Sequence, residues 1–250
     1  MRVLVVTAVG AEADSVTAGL SPGGPVTAHR IPGGHTLRRC PDAGTGRGAE
    51  TGTTVDVLAA GAGPAAAAAA TATALTAAAT APGAHGAPGY DLVVSAGIGG
   101  GFAGVAPLGL IVVADAIVAA DLGAETPDGH LAVEELGFGR SVHRPTVLSE
   151  RIAEALDAVH APVLTVSTVT GTAARAAELT ARHPRAAAEA MEGFGVAEAA
   201  VRHGVPVAEI RAVSNAVGPR DRASWRIGEA LEALRHAFRL LSPVLEEEAR

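Results

Sequence analysis

The sequence of 250 residues contains no lysine, and all 19 of its basic residues are arginine. Schiff-base chemistry, pyridoxal phosphate attachment and P-loop nucleotide binding each need a lysine, so these classes are excluded. The formal charge of −7 at pH 7 argues against a basic surface for nucleic-acid phosphates. Aromatic residues make up only 2% of the chain, which leaves little for stacking single-stranded bases. We therefore expect no nucleic-acid partner.

Cysteine is also scarce, because Cys40 is the only one. It cannot form an intrachain disulfide or a thiolate metal site, and this favours a reducing, cytoplasmic location. No signal peptide is predicted, since Met1-Arg2 leads directly into a strand-like run without a small-residue cleavage site after it. The uncharged segment 92–114 contains six glycines and Pro107. It predicts two buried strands joined by a glycine-rich turn, not a membrane helix, so we expect no membrane partner.

What the chain does contain is a regular alternation of apolar, β-branched runs with helical patterns. This alternation, with 48% hydrophobic residues, predicts a three-layer α/β fold in a single domain over residues 1–250. Residues 21–52 are rich in Gly, Pro and Thr and suggest a surface hairpin or excursion. The predicted strands are residues 2–8, 53–60, 91–96, 110–119, 163–169 and 207–214. The predicted helices are residues 64–81, 149–158, 172–183, 191–203 and 223–248.

Several familiar site patterns are absent or ambiguous. None of the nine histidines pairs with a carboxylate at metal-binding helical spacing, so we predict no metal site. No Gly-x-Ser-x-Gly elbow supports a serine hydrolase. Gly61-x-Gly63-x-x-Ala66 follows a strand and opens a helix, as a dinucleotide fingerprint does, although tight strand-to-helix packing is the simpler explanation. A dinucleotide-binding domain would have an acidic residue at the end of the next strand, whereas here Asp91 stands at its beginning. A nicotinamide dinucleotide-binding protein remains an alternative from another class.

Three polar residues stand at the ends of predicted elements. Glu12 follows the first strand, at the carboxyl edge where open α/β sheets hold their ligands. Glu192 opens a predicted amphipathic helix, and Asn215 ends a predicted strand. Each also has an ordinary structural interpretation: a carboxylate in the first turn of a helix, an N-terminal helix glutamate and a turn residue, respectively.

Taken together, these segments resemble the purine nucleoside phosphorylase and nucleosidase family over nearly the whole chain. Met191-Glu192 followed by small residues is similar to that family's ribose-binding helix, and Gly97-Ile98-Gly99-Gly100-Gly101 resembles its central glycine turn. The segment from Ile210 to Asn215 resembles the strand that ends in its base-recognition residue. The resemblance implies a central mixed sheet, cleavage of a purine–ribose bond in a small-molecule nucleoside, no cofactor and a homo-oligomer.

The same resemblance implies roles for single residues. Glu12 would activate water, Glu192 would accept hydrogen bonds from the ribose hydroxyls, and Met191 would pack beneath the sugar. Gly99 and Gly100 would let the backbone approach the water and the ribose. Val169 and Thr170 fall in the base-contacting segment, where Val169 replaces an aromatic residue of the methylthioadenosine nucleosidases.

Asn215 marks a departure, because adenine-specific nucleosidases carry an aspartic acid at this position. The carboxamide NH2 offers two donors. A 6-oxopurine presents two acceptors, N7 and O6, on one edge, so Asn215 suits hypoxanthine or guanine. An adenine nucleosidase acting on methylthioadenosine remains the alternative within the family. No arginine lies in the central glycine segment, where related phosphorylases hold phosphate, and this favours water as the nucleophile.

Two arginines beyond that strand are candidates for substrate binding. Arg220 and Arg222 flank Asp221, and arginine binds carboxylates in a two-pronged fashion. They would hold a carboxylate on the 5′ side of the nucleoside. Solvated surface arginines are the other interpretation.

Overall fold

The protein is described by a computed structural model that covers residues 1–41, 53–81 and 89–248. A large mixed sheet forms its centre, with helices on both faces. The strands are β1 (Arg2–Thr7), β2 (Thr27–Arg30), β3 (Thr36–Cys40), β4 (Thr54–Ala59), β5 (Leu92–Gly101), β6 (Ile111–Ala119), β7 (Gly123–Thr126), β8 (Gly129–Ala132), β9 (Val142–His143), β10 (Val159–Thr165), β11 (Ala188–Ala190) and β12 (Val207–Ala216). The helices are α1 (Gly10–Leu20), α2 (Pro64–Ala79), α3 (Val147–Ala155), α4 (Ala173–Arg182), α5 (Gly193–Arg202) and α6 (Ile227–Glu248).

The sheet has the strand order β11-β10-β6-β12-β5-β1-β4-β3-β2. β1 runs parallel to β4 and β5, and β12 runs parallel to β5 but antiparallel to β6. The short strand β11 pairs with β10 on one side and with β5 on the other. Strands β5, β12, β6, β10 and β11 therefore close on themselves, and the expected mixed central sheet is confirmed.

The two faces of the sheet bury separate hydrophobic clusters, and β1 shows how. Leu4 and Val6 lie in one cluster with side chains of α2 and α5. Val3 and Val5 lie in the other cluster with side chains of α1 and α6. Because alternate side chains of a strand point to opposite faces, a strand covered on both sides becomes a continuous apolar run. The predicted three-layer α/β/α arrangement is thus confirmed.

Several predicted strand boundaries are wrong, because contacts with other parts of the fold determine where these strands begin and end. The glycines from Gly97 to Gly101 belong to β5 and do not form a turn; the connection to β6 follows them. A side chain at Gly101 would come within 2.1 Å of the Ala106 carbonyl oxygen, so the extended backbone here depends on glycine. Strand β10 runs over Val159–Thr165 instead of residues 163–169, because its pairing with β6 begins at Val159 opposite Val112.

Helix boundaries differ as well. Helix α1 over Gly10–Leu20 was not among the predicted helices. Helix α5 begins at Gly193 and α6 at Ile227, later than the predicted starts at residues 191 and 223. Met191 and Glu192 consequently lie in the link between β11 and α5, not within a helix. This placement turns the Glu192 carboxylate toward neighbouring elements, as described below.

At the sheet edge, β2 and β3 form the expected hairpin; residues 42–52 of that predicted excursion lie outside the described residues. The buried carboxylate of Asp56 anchors it, accepting bonds from Arg39 Nε at 2.8 Å, Arg39 Nη2 at 2.9 Å and the Tyr90 hydroxyl at 2.7 Å. Burial opposes ionisation of Asp56, but Arg39 and Tyr90 together hold its pKa below the usual value. Over the described ranges, no helix is long and apolar enough to cross a membrane.

Candidate active site

Glu12 lies in the first turn of α1, directly beyond the carboxyl end of β1, and its side chain is buried. One carboxylate oxygen, Oε2, accepts hydrogen bonds from the amides of Ala8 at 2.9 Å and Val9 at 3.1 Å. The other, Oε1, accepts one from the Ile98 amide in β5 at 2.9 Å. A Cβ atom at Gly97 would come within 2.6 Å of Oε1, so this glycine leaves the space that the carboxylate needs. Glu12 is therefore fixed against the central strand.

Glu192 is also buried and is held from three sides. Its Oε1 accepts a hydrogen bond from the Gly63 amide at 3.2 Å, and its Oε2 accepts from Arg211 Nη1 at 3.1 Å and from the Met191 amide at 3.3 Å. The Gly63 contact explains the Gly61-x-Gly63 pattern, since the turn before α2 packs against the link into α5. A Cβ at Gly195 would lie 2.0 Å from the Pro64 carbonyl oxygen. The geometry favours tight packing over a dinucleotide fingerprint.

Arg211 is a residue of the site that the sequence analysis did not single out. It lies in the middle of β12 and is fully buried. Nε donates to Glu209 Oε1 at 2.9 Å, Nη1 to Glu192, and Nη2 to the Ser95 hydroxyl at 3.0 Å. Burial opposes its charge, yet the carboxylates of Glu209, Glu192 and Glu12 raise the pKa of Arg211. One guanidinium thus lies among three carboxylates.

Glu209 is the third of these carboxylates and is completely buried. Its Oε2 has no hydrogen-bond partner among the described residues, and burial raises its pKa. A Cβ at Gly193 would lie 2.2 Å from either carboxylate oxygen, so the glycine leaves room for the Glu209 carboxylate in this position. The sequence does hold a signal for this pair, because Glu209 and Arg211 interrupt the apolar first part of β12 at alternate positions and therefore share one face.

Asn215 is half-buried near the end of β12, next to a register shift between Val213 and Asn215. Its Oδ1 accepts from the Ser214 hydroxyl at 2.9 Å, and its Nδ2 donates to the Ala216 carbonyl at 3.0 Å. A Cβ on Gly100 would lie 3.2 Å from Nδ2, which places the carboxamide directly beside β5. The second N–H of this amide has no partner among the described residues and is free to donate to a ligand.

The segment with Val169 and Thr170 is tied to the same place through Glu189. The buried Glu189 carboxylate accepts from the Thr170 amide at 2.9 Å and from the Thr170 hydroxyl. Burial raises the pKa of Glu189, although both bonds from Thr170 oppose the shift. Glu189 in turn pairs with Gly100 across the sheet, and a Cβ at Gly99 would lie 2.8 Å from the Glu189 carbonyl oxygen. Val169 is 50% exposed and has its side chain available for a ligand.

The structure therefore brings most of the predicted site residues into one connected region around β5, β11 and β12. Arg220 and Arg222 are the exceptions, since both are exposed in the turn that follows β12. Their guanidinium groups lie over the ring of Trp225, at 5.6 Å and 5.8 Å from its centre. Neither contacts Glu12, Glu192 or Arg211 among the described hydrogen bonds and ion pairs.

Comparison with known proteins agrees with this geometry, since the sequence pattern of the Phosphorylase superfamily matches residues 2–247. The chain belongs to this superfamily. It is 60% identical over 253 residues to a futalosine hydrolase of Streptomyces coelicolor, covering 98% of this chain and 97% of that one. It is 46% identical to a futalosine hydrolase of Acidothermus cellulolyticus, covering 95% and 89% of the two chains.

Among solved structures, the chain is similar to a methylthioadenosine/S-adenosylhomocysteine nucleosidase from Colwellia psychrerythraea in complex with adenine. The TM-score is 0.74 at 22% identity, covering 98% of this chain and 94% of that one. This similarity supports the α/β/α architecture and the mixed sheet. The family resemblance predicted from the sequence is confirmed by the family match over residues 2–247.

Proposed function

We propose that this protein is an N-glycosyl hydrolase that cleaves futalosine, releasing hypoxanthine and leaving dehypoxanthine futalosine, within menaquinone biosynthesis. The observation that carries this proposal is the near full-length, 60% identity to a protein named futalosine hydrolase. The buried carboxylates and the strand-end carboxamide supply chemistry that fits the reaction.

Cleavage at C1′ of the ribose develops positive charge on the sugar while electrons accumulate on the base. A hydrolase therefore needs a base for water and a firm hold on the sugar. We assign the first role to Glu12, whose Oε1 faces the Ile98 amide in β5. Glu192 would accept from the ribose hydroxyls, and Met191, whose amide bonds Glu192, would pack beneath the sugar. Arg211 would hold the Glu192 carboxylate in place.

Base recognition would occur where β5, β11 and β12 meet. The free N–H of Asn215 would donate to N7, and rotation of the amide would let both N–H groups meet N7 and O6 of hypoxanthine. Val169 would contact the purine face. Thr170 uses its amide and hydroxyl on Glu189, so it would contribute its position and its carbonyl oxygen. Gly99 and Gly100 would let the backbone lie close to the substrate.

Further expectations belong to the same proposal. We expect water, not phosphate, to be the nucleophile and expect no cofactor. Arg220 and Arg222 would hold the carboxylate that futalosine carries on its 5′ side. We further propose that the enzyme acts in the cytoplasm as a homo-oligomer built from single-domain chains.

The deciding experiment is incubation of the protein with futalosine, inosine and methylthioadenosine, each with and without phosphate, while free base is measured. Hypoxanthine released from futalosine without phosphate would support the proposal. Adenine released from methylthioadenosine alone would identify an adenine nucleosidase instead. Binding of a nicotinamide dinucleotide with no base release from any nucleoside would overturn the nucleosidase assignment.

A further inference from the structure

Glu189 is a buried carboxylate that the proposed reaction at C1′ does not use. It lies in the middle of β11. Its Oε1 accepts a hydrogen bond from the Thr170 amide at 2.9 Å, and its Oε2 accepts one from the Thr170 hydroxyl. An ionised carboxylate offers about four acceptor positions, and Glu189 has neither a further donor nor a cation among the described hydrogen bonds and ion pairs. Because a buried charge is stable only when its hydrogen bonds are made, this carboxylate can take another donor.

The register of the sheet places the Glu189 side chain on the same face as Asn215. Glu189 pairs with Gly100 of β5 from one side, and Asn215 pairs with Gly100 from the other. Residues paired across neighbouring strands project their side chains from the same face of the sheet, and a Cβ at Gly100 would lie 3.2 Å from Asn215 Nδ2. Ala188 and Ala190, the neighbours of Glu189, belong to the cluster on the opposite face. The carboxamide and the carboxylate therefore flank one glycine on one face of the sheet.

The spacing of these two polar groups suits a flat purine ring. Neighbouring strands lie about 4.7–4.9 Å apart, so two strand spacings put the Cβ atoms of Asn215 and Glu189 roughly 10 Å apart. Gly100 is half-buried and has no side chain, so nothing from β5 itself stands between the two groups. Thr170, in the candidate base-contacting segment, reaches the same place and holds the carboxylate. A base that bonds the carboxamide at one edge and the carboxylate at another can bridge this gap.

Hypoxanthine and adenine differ at the ring atom that such a carboxylate would meet. Hypoxanthine carries an N1–H donor beside its O6 acceptor, whereas adenine has an N1 acceptor beside its 6-amino group. An ionised carboxylate only accepts hydrogen bonds, so it matches N1–H of a 6-oxopurine and opposes N1 of adenine. The Thr170 amide could have donated to an adenine N1, but Glu189 already uses it. Burial raises the pKa of Glu189, but both bonds from Thr170 oppose this and favour the ionised form, which is the form that accepts.

We propose that Glu189 determines the choice of base by accepting a hydrogen bond from N1–H of a 6-oxopurine, while Asn215 donates to the other edge of the same ring. Thr170 positions the carboxylate for this contact. The inference rests on the proposed function and adds a second element of base recognition, on the other flank of β5 from Asn215. Such a site rejects adenine because binding it would leave buried polar groups unpaired.

The test measures kcat/KM for futalosine and for aminodeoxyfutalosine, which carries adenine in place of hypoxanthine. In Glu189→Gln, the new amide oxygen can keep the bond from the Thr170 amide, and its NH2 group can donate to the Thr170 hydroxyl, which leaves a second N–H for the base. That N–H would oppose N1–H of hypoxanthine and suit N1 of adenine. Because two opposed donors replace a charged hydrogen bond, the ratio of kcat/KM for futalosine to that for aminodeoxyfutalosine should fall by roughly tenfold to a hundredfold.

Two control variants separate base recognition from the position of the segment. Thr170→Val removes the hydroxyl bond but keeps the carboxylate and the amide bond, so it should lower kcat/KM for both substrates and preserve their ratio. Glu178→Gln makes the same substitution at an exposed position of α4 and should change neither value. An equal loss for both substrates in Glu189→Gln would show that Glu189 only positions the segment, and this would overturn the proposal.

A second measurement uses the wild type alone and so does not depend on the folding of a variant. Hypoxanthine and 1-methylhypoxanthine are compared as inhibitors of futalosine hydrolysis, since methylation removes the N1–H donor. Hypoxanthine should inhibit at a concentration roughly tenfold lower or less, and equal inhibition by the two bases would overturn the contact. Failure of the wild type to release base from futalosine would instead overturn the proposed function on which the inference rests.

Discussion

Arg211 offers the sharpest test of how the site is built, and the perturbation is Arg211→Met. The substitution keeps an apolar stem of similar length but removes the charge and three buried hydrogen bonds, to Glu209, Glu192 and Ser95. Glu192 would retain the amides of Gly63 and Met191. Glu209 would lose the single partner that the structure gives it.

Breaking a buried ion pair by removing one partner costs about 3–5 kcal/mol, because the remaining charge stays buried without compensation. Glu209 can reduce this cost by taking up a proton, since burial already raises its pKa. We therefore expect Arg211→Met to lower the free energy of unfolding by about 3 kcal/mol, near the lower end of that range. That is a large share of the roughly 5–15 kcal/mol by which a domain is stable.

The assay is urea unfolding followed by circular dichroism, together with steady-state kinetics on futalosine. Arg211→Met should lower the unfolding midpoint and reduce kcat, because Glu192 loses the guanidinium group that orients its carboxylate. The double variant Arg211→Met/Glu209→Met should recover much of the stability, since apolar pairs replace buried ion pairs at little cost, but it should not recover kcat. A stability loss below about 1 kcal/mol, or full activity in the double variant, would refute the reasoning.

Three other predictions follow from the same structure. Glu12→Gln should lower kcat by about 10²–10⁴-fold with little change in KM, as expected for loss of a general base, and unchanged kcat would remove Glu12 from that role. Asn215→Asp should raise kcat/KM for aminodeoxyfutalosine, the analogue that carries adenine, relative to kcat/KM for futalosine, because an ionised carboxylate would face the two acceptors N7 and O6 of hypoxanthine. The difference between the two activation free energies should change by on the order of 1–3 kcal/mol, and an unchanged ratio would take Asn215 out of base recognition. The pKa of Asp56 is lowered on folding, so its stabilisation is present above the unfolded value of about 3.9 and is lost as pH falls toward the lower folded value. Urea titrations from pH 6 to pH 3 should accordingly show a steeper loss of stability in the wild type than in Asp56→Asn, and parallel curves would contradict this linkage.

Local pattern was sufficient for the layers of the fold but not for all of its boundaries. A run such as Val3-Leu4-Val5-Val6 must be covered on both faces, so the buried sheet follows from composition and period alone. Helix α1 was missed because its Gly10-Ala11-Glu12-Ala13 start offers a weak apolar stripe and no conventional capping side chain. Its stability comes from packing on α6, where a Cβ at Gly19 would lie 2.3 Å from the Arg235 carbonyl oxygen.

The site divides in the same way. Glu12 was recognisable from its place beyond the carboxyl end of a strand, where α/β proteins bind ligands. Glu192 and Asn215 were recognisable because their segments resemble those of a known family. Arg211 lies mid-strand, and its importance depends on Glu192 and Ser95, which are distant in sequence. Their contact depends on the order of the strands in the sheet, which cannot be predicted from any one segment of the sequence.

The glycines of β5 were predicted to form a turn, but they form part of a strand. A glycine-rich stretch after a strand ordinarily predicts a turn. In β5 the same residues are extended because they pair with β12. They are glycines because side chains would collide with Glu12 at Gly97, with the Glu189 carbonyl at Gly99 and with Val217 at Gly100. The missing side chains leave room for the Glu12 carboxylate, for strand β11 and for the end of β12, all on one strand. Small residues in a central strand therefore serve the assembly of the site as much as its access to substrate, and a substitution of Gly97 should disturb Glu12 and Arg211 together.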